Sequence, residues 1–160
     1  MTTLNSIGLD SDKAKVLAED LNTLLSNFQL YYQNLRGIHW NIKGRAFFDL
    51  HVKFEELYND ANIKVDEIAE RILTLGETPL HTFDDYTNYG KVPVGKNVSE
   101  DNKAVKLIVE SLTELLKIER EILNMSADAD DEGTNAMMSG FISEQEKTVW
   151  MMKAWLNETV

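Results

Sequence analysis

Two histidines and three acidic residues in the segment 39–70 have the side chains and the spacing of a metal site. His51 and Glu55 are four residues apart, as are Asp66 and Glu70, so each pair lies on one face of a helix. His39 precedes His51 by twelve residues. Imidazole nitrogens together with carboxylate oxygens suit Fe(II), Mn(II) or Zn(II). These five residues are therefore candidate metal ligands.

Apolar residues recur at helical spacing on both sides of the histidines. The spacing predicts a long amphipathic helix over residues 11–40, followed by a break that contains Gly44. It predicts a second helix from about Ala46 to Leu75, with Gly76 and Pro79 as stop signals. The core stripe of this second helix comprises Leu50, Phe54, Leu57, Ala61, Val65, Ile68, Ile72 and Leu75.

The second helix has two faces that need to be covered. Most of the candidate ligands lie on an arc beside the core stripe, and Val52, Ile63 and Leu73 share that arc. This mixed arc predicts a contact with a partner. The remaining arc is expected to face solvent, and it carries Lys53, Asp60, Lys64, Glu67 and Arg71.

The second half of the chain predicts two more long helices after an extended crossover. Residues 76–98 contain both prolines, and within them Thr82–Tyr89 is expected to form a short helix with Thr82 as its N-cap. The third long helix starts near Ser99, and an acidic break at 128–132 separates it from the fourth. The pattern predicts an all-α, ferritin-like four-helix bundle with a long crossover containing a short helix between the second and third helices.

Length, composition and charge narrow the class of protein. The 160 residues are expected to form a single domain, 1–160, and the absence of cysteine excludes disulfides and thiolate metal sites. The net charge of −11 opposes binding to phosphate backbones and favours attraction of cations. No signal peptide or membrane-spanning run is visible, so we expect a cytoplasmic protein without membrane contact.

Helix geometry separates the candidate ligands into two groups. His51 and Asp66 are fifteen residues apart, which is roughly 22 Å along a helix. One chain cannot bring both to one metal ion, whereas two antiparallel copies related by a twofold axis can, with two equivalent sites. A di-iron site inside one bundle is excluded because the sequence has no Glu-x-x-His. From spacing alone, a packed core histidine and a solvated or ion-paired acidic face remain alternatives.

Two sequence motifs in register resemble the signatures of a known family. HWNIKG at 39–44, followed by Leu50, His51 and Glu55, resembles the first signature of the Dps family, the miniferritins or DNA-binding proteins from starved cells. VDEIAER at 65–71, followed by a Leu-Gly pair and a proline, is similar to the second signature. The helical layout resembles the family from about residue 10 to residue 157.

The resemblance implies a homo-oligomer, a hollow shell of twelve subunits that oxidises Fe(II) to Fe(III), preferentially with hydrogen peroxide, and stores the mineral. By analogy, the iron sites lie at twofold interfaces, where Zn or Mn can substitute for iron. The resemblance assigns ligands from one subunit (His39, His51 and Glu55) and from its neighbour (Asp66 and Glu70). Trp40 is similar to a family tryptophan that could intercept a stray oxidising equivalent.

The acidic break falls where the family builds a negatively charged threefold pore that admits iron. Family members commonly carry Thr-Ala-Asp at the start of the last helix, but this sequence has Thr-Asn-Ala at 134–136. The acidic lining is therefore expected to come from Asp128, Asp130 or Asp131. An ordinary acidic loop is the alternative.

DNA binding through an N-terminal tail is not expected, despite the family name. The N-terminal segment has only Lys13 and Lys15, and Asp10 and Asp12 offset their charge. Two rival functions remain open. One is a DNA-compacting structural protein, and the other is a shell that binds zinc or manganese without turnover.

Overall fold

The computed structural model describes residues 3–160, which form four long helices and one short helix. Met1 and Thr2 lie outside the described residues, and the expectation that the N-terminus has no signal peptide partly falls on them. The only β-type pairing within 3–160 is an isolated bridge between Leu4 and Asp10. No helix in this range is long and apolar enough to cross a membrane. The helices are α1 (Ser11–Asn41), α2 (Phe47–Thr74), α3 (Phe83–Asn88), α4 (Asp101–Asp128) and α5 (Glu132–Trp155).

The long helices pack as two hairpins around one apolar core. α1 lies along α2, α4 lies along α5, and α1 also contacts α4. The connection from α2 to α4 carries α3, which packs against α1. Phe28 and Phe54 are the largest side chains in the fully buried core. This architecture confirms the predicted all-α, ferritin-like bundle with a long crossover and a short helix within it.

Local capping explains where several helices begin and end. The Asp10 carboxylate accepts hydrogen bonds from the backbone N–H groups of residues 12 and 13 at the start of α1. The Thr82 hydroxyl accepts one from Asp85 N–H at 3.2 Å, which confirms the predicted N-cap of α3. Gly76 has φ +95°, a conformation that ends α2 and that other residues adopt at a cost.

The predicted solvent arc of α2 is wrong at two basic residues. Lys64 is only 4% exposed, and its ammonium group lies 2.7 Å from carboxylate oxygens of both Asp60 and Glu144. Arg71 is also largely covered, and its Nη2 donates to Asp131 at 2.6 Å. Glu144 belongs to α5 and Asp131 is the N-cap of α5. The helix α5 therefore packs against this arc of α2 and covers both basic residues.

Candidate metal centre

The rings of His39 and His51 lie side by side where α1 ends and α2 begins. Their centroids are 3.8 Å apart and their planes differ by 13°. A short connection over residues 42–46 brings the last turn of α1 next to the first turns of α2. Gly44 makes this reversal possible, since its φ is +115°.

Reciprocal hydrogen bonds fix the tautomer of both histidines. His39 Nδ1 lies 2.7 Å from the carbonyl oxygen of His51, and His51 Nδ1 lies 2.8 Å from the carbonyl oxygen of His39. A carbonyl oxygen only accepts, so each Nδ1 carries a hydrogen and donates it. With Nδ1 as the donor, Nε2 is the nitrogen of each ring that can offer a lone pair to a metal ion. That is the arrangement of a metal-binding imidazole whose other nitrogen is held by a backbone carbonyl.

Glu55 lies one turn beyond His51 and is held by Tyr58. The Tyr58 hydroxyl donates to Glu55 Oε1 at 3.1 Å, and its ring meets the His39 ring edge-on at 5.3 Å. Desolvation, followed by the hydrogen bond to Glu55, raises the pKa of Tyr58, so the phenol stays protonated and remains a donor. Phe47 also stacks against the His51 ring, with the two ring centroids 4.9 Å apart.

Asp66 and Glu70 lie further along the same helix, with their side chains exposed. Neither carboxylate forms a hydrogen bond with another residue in the described part of the chain. α2 is continuous from Phe47 to Thr74, so His51 and Asp66, fifteen residues apart, are separated by roughly 22 Å along the helix. Within residues 3–160 of one subunit, no three His, Asp or Glu side chains surround a common point. The structure therefore brings together His39 and His51, here called the imidazole group, with Glu55 one helical turn beyond His51. Asp66 and Glu70, here called the acidic group, lie apart from it.

Apolar side chains are exposed along α2 between and beside the two groups. Phe48 is 81% exposed, and Val52, Ile63 and Leu73 are each more than half exposed. A groove of about 640 Å³ between α2 and α5 is lined by Ile63 and Glu70 among others. Exposed apolar surface rimmed by charged groups is typical of a protein–protein contact.

Trp40 follows His39 in the chain, and its side chain is 57% exposed. The Arg36 guanidinium lies 4.7 Å from the Trp40 ring centroid and 5.4 Å from that of Tyr32. A cation over a ring face is attracted by the ring quadrupole. The indole is therefore held by Arg36 and still reaches solvent.

The three aspartates of the acidic break have different environments. Asp131 is 1% exposed, and its carboxylate accepts hydrogen bonds from Arg71 and from the backbone N–H of Thr134. It therefore acts as the N-cap of α5 within the subunit. The side chains of Asp128 and Asp130 are exposed. These two are the members of the predicted set that remain free to line a pore.

Tyr58 belongs to neither sequence motif, although its position along α2 carries a signal. Tyr58 lies three residues after Glu55 and seven after His51, which places it on the same face of α2. Its contact with His39 depends on how α1 meets α2, and no spacing within one helix contains that information.

Comparisons with known proteins agree with this architecture. The model of the ferritin-like domain matches residues 18–160. An uncharacterised protein of Haemophilus influenzae is 48% identical over 149 residues, which is 93% of each chain. The DNA protection during starvation protein of Porphyromonas gingivalis is 39% identical over 95% of this chain and 96% of its own.

A solved structure is similar over nearly the whole chain. It is a Dps protein from Vibrio cholerae O1, a member of a broad superfamily of ferritin-like diiron-carboxylate proteins. It shares 45% sequence identity, covers 98% of both chains and superposes with a TM-score of 0.95.

Proposed function

Because the chain belongs to the Dps family of ferritin-like proteins, we propose that it stores iron and protects the cell against oxidative damage by oxidising Fe(II) at intersubunit sites. The proposed oxidant is hydrogen peroxide, and the proposed assembly is a hollow shell of twelve subunits in the cytoplasm. Ferrous iron and peroxide are its substrates, and the ferric mineral is its stored product.

The observation that carries this proposal is the hydrogen-bonding of the two histidines. Both rings donate through Nδ1, so both Nε2 atoms are available as ligands in the same small region. Glu55 adds a carboxylate that Tyr58 orients. A histidine pair present only for packing would not need both rings fixed in a metal-binding tautomer.

The second half of each site is proposed to come from a neighbouring subunit. In an antiparallel pair of α2 helices, the acidic group, Asp66 and Glu70, faces the imidazole group of the partner. The twofold axis repeats this arrangement and gives two equivalent sites per pair. The exposed apolar residues of α2 support the proposal because they would be covered by such a contact.

The mixed donor set suits a metal ion that changes oxidation state. Imidazole nitrogens bind Fe(II) well, and carboxylate oxygens favour the harder Fe(III) product. Two Fe(II) ions lose one electron each, and hydrogen peroxide takes up both electrons with two protons to give water. Paired transfer therefore consumes peroxide without releasing a hydroxyl radical. Zn(II) or Mn(II) would occupy the same donors as competitors.

Protection through tight DNA binding is less well supported. The two N-terminal lysines lie inside α1 and not in a free tail, and Lys13 Nζ donates to the carbonyl oxygen of Asp128 at 2.6 Å. The net charge of −11 repels phosphate. We therefore propose protection by removal of iron and peroxide. A clear gel retardation of DNA at neutral pH and physiological salt would favour the DNA-compacting alternative.

The proposal is tested by adding Fe(II) anaerobically and then peroxide, and following Fe(III) absorbance. The protein should increase the initial rate over a protein-free control, and His39→Ala/His51→Ala should abolish the increase while the shell still assembles. His81→Ala is the matched control, because His81 is exposed in the crossover and far along the chain from the site. A double variant as fast as the wild type would exclude the imidazole site, and binding of iron without any rate increase would favour a storage shell without turnover.

A further inference from the structure

A carboxylic acid and an amide are buried together between α4 and α5. Glu119 is 0% exposed and Gln145 is 5% exposed. Gln145 Nε2 donates to Glu119 Oε1 at 2.6 Å. The other oxygens of the pair, Glu119 Oε2 and Gln145 Oε1, are buried and have no hydrogen-bond partner among the described residues. Each orphaned oxygen is an acceptor, so the pair lacks a donor.

One proton supplies the missing donor. A protonated carboxyl group presents one O–H and one C=O, and a primary amide presents one N–H and one C=O on the facing side. With the hydrogen on Oε2, the acid can donate to Gln145 Oε1 while it accepts from Nε2. Without it, the pair would bury a negative charge that has a single hydrogen bond, which is costly.

No basic group is free to neutralise Glu119. Lys64 on α2 is the one lysine or arginine buried within residues 3–160, but its ammonium is held by Asp60 of α2 and Glu144 of α5. The two ion pairs keep Lys64 charged, because they raise its pKa against the effect of burial. The Lys64 charge lowers the pKa of Glu119 through space, without a hydrogen bond between the two side chains.

The other groups that face Glu119 do not supply a counter-ion either. Tyr31 on α1 is buried, and desolvation together with nearby negative charge raises the pKa of its phenol, so it stays neutral. Arg120, the next residue on α4, is about half exposed and reaches Glu146 on α5. Burial raises the pKa of Glu119 to about 8, against the lowering effects of Gln145, Lys64 and Arg120.

We propose that Glu119 is a proton-binding site in the interior of the bundle, where the neutral acid and Gln145 form two reciprocal hydrogen bonds that join α4 to α5, and that loss of the proton weakens this hairpin. The site is separate from the iron ligands and does not depend on the proposed function. A metal ion is a poorer occupant than a proton, because only two oxygen donors meet here and the Lys64 ammonium repels a second cation.

The sign of the resulting pH dependence follows from proton linkage. The folded protein keeps a proton up to about pH 8, whereas the unfolded chain releases it near 4.5. The contribution of Glu119 to stability is therefore complete below the lower value. It is lost progressively as the pH rises to the upper value, by up to about ten-fold in the unfolding equilibrium per pH unit.

The first test compares the wild-type assembly with Glu119→Gln by denaturant unfolding across this range. The amide replaces the neutral acid with the same shape and cannot titrate. Between about pH 5.5 and 7.5 the wild type should lose about 100-fold in its folding equilibrium relative to the variant. Glu110→Gln on the same helix is the matched control, because Glu110 is exposed, and its pH profile should follow the wild type.

The second test reads the proton directly by infrared spectroscopy of the assembled protein at about pH 6.5. Wild type and Glu110→Gln should show the carbonyl band of a protonated carboxylic acid, and the band should disappear at about pH 9 and be absent from Glu119→Gln. A missing band in the wild type, or parallel pH profiles for wild type and Glu119→Gln, would overturn the proposal. So would failure of Glu119→Gln to assemble where Glu110→Gln does, or the loss of one bound metal ion per subunit in Glu119→Gln.

Discussion

Sharing of each iron site between two subunits can be tested by restoring activity from two inactive variants. One variant lacks the imidazole group (His39→Ala/His51→Ala), and the other lacks the acidic group (Asp66→Ala/Glu70→Ala). Each should be inactive alone, since every site in its assembly lacks two of its five proposed ligands. Co-assembly places an intact imidazole group of one variant opposite an intact acidic group of the other.

The size of the recovery follows from twofold geometry. In an equal, random mixture, half of the subunit pairs contain one copy of each variant. Each mixed pair has one complete site, and its other site lacks both groups. The mixture should therefore recover about a quarter of the wild-type initial rate per subunit. The separation of roughly 22 Å along a continuous α2 makes this the only route to a complete site from these two chains.

The assay is the initial rate of Fe(III) formation with peroxide, measured after the two variants are dissociated, mixed and reassembled. A mixture of His39→Ala/His51→Ala with His81→Ala is the control for reassembly. It should recover about half of the wild-type rate, because half of the imidazole groups are intact. Half recovery in this control with no recovery in the mixture of the two inactive variants would refute shared sites. It would mean that both ligand groups act within one chain.

Two further substitutions test single contacts. Tyr58→Phe removes the hydrogen bond to Glu55 and should weaken Fe(II) binding about two- to five-fold in a calorimetric titration, with little change in stability; unchanged affinity would mean that Glu55 needs no orientation. Asp131→Ala leaves Arg71 without its buried partner and removes the N-cap of α5, so denaturant unfolding should show a loss of about 3 kcal/mol. Asp128→Ala, at an exposed position, should stay within about 0.5 kcal/mol of the wild type, and equal effects of the two would contradict the buried role of Asp131.

The helices could be predicted from the sequence because their signals are local. Apolar periodicity sets which face of a helix is buried, and the core stripe of α2 from Leu50 to Leu75 is covered in the structure, although Leu57 and Val65 are only partly so. The N-cap at Thr82 was predictable for the same reason, since its partner is three residues away. The family motifs added the expectation of a shell built from many copies of the chain, which periodicity alone does not predict.

The burial of charged residues could not be predicted, since it depends on contacts between helices. Lys64 and Arg71 lie on the arc of α2 that the helical spacing of polar residues predicts to face solvent, yet α5 covers both. Lys64 becomes buried only because Glu144, eighty residues later, supplies a second carboxylate. The burial of Glu119 could not be predicted either. A single acidic residue beside apolar residues of one helix does not indicate which residue of another helix will pair with it.

The two groups of the candidate site differ in how far they are prepared for a metal ion. The imidazole group is fixed within the subunit, because two hydrogen bonds and ring stacking hold both rings before any ion arrives. The carboxylates of Asp66 and Glu70 are exposed and have no hydrogen-bond partner in the described part of the chain, so in the proposed assembly a partner subunit would have to hold them. In the proposed site, metal binding would therefore cost little conformational entropy at the histidines and would depend on assembly for the other ligands. Under the proposed function, this division would couple Fe(II) oxidation to assembly, because a free subunit would lack the Asp66 and Glu70 carboxylates of a partner.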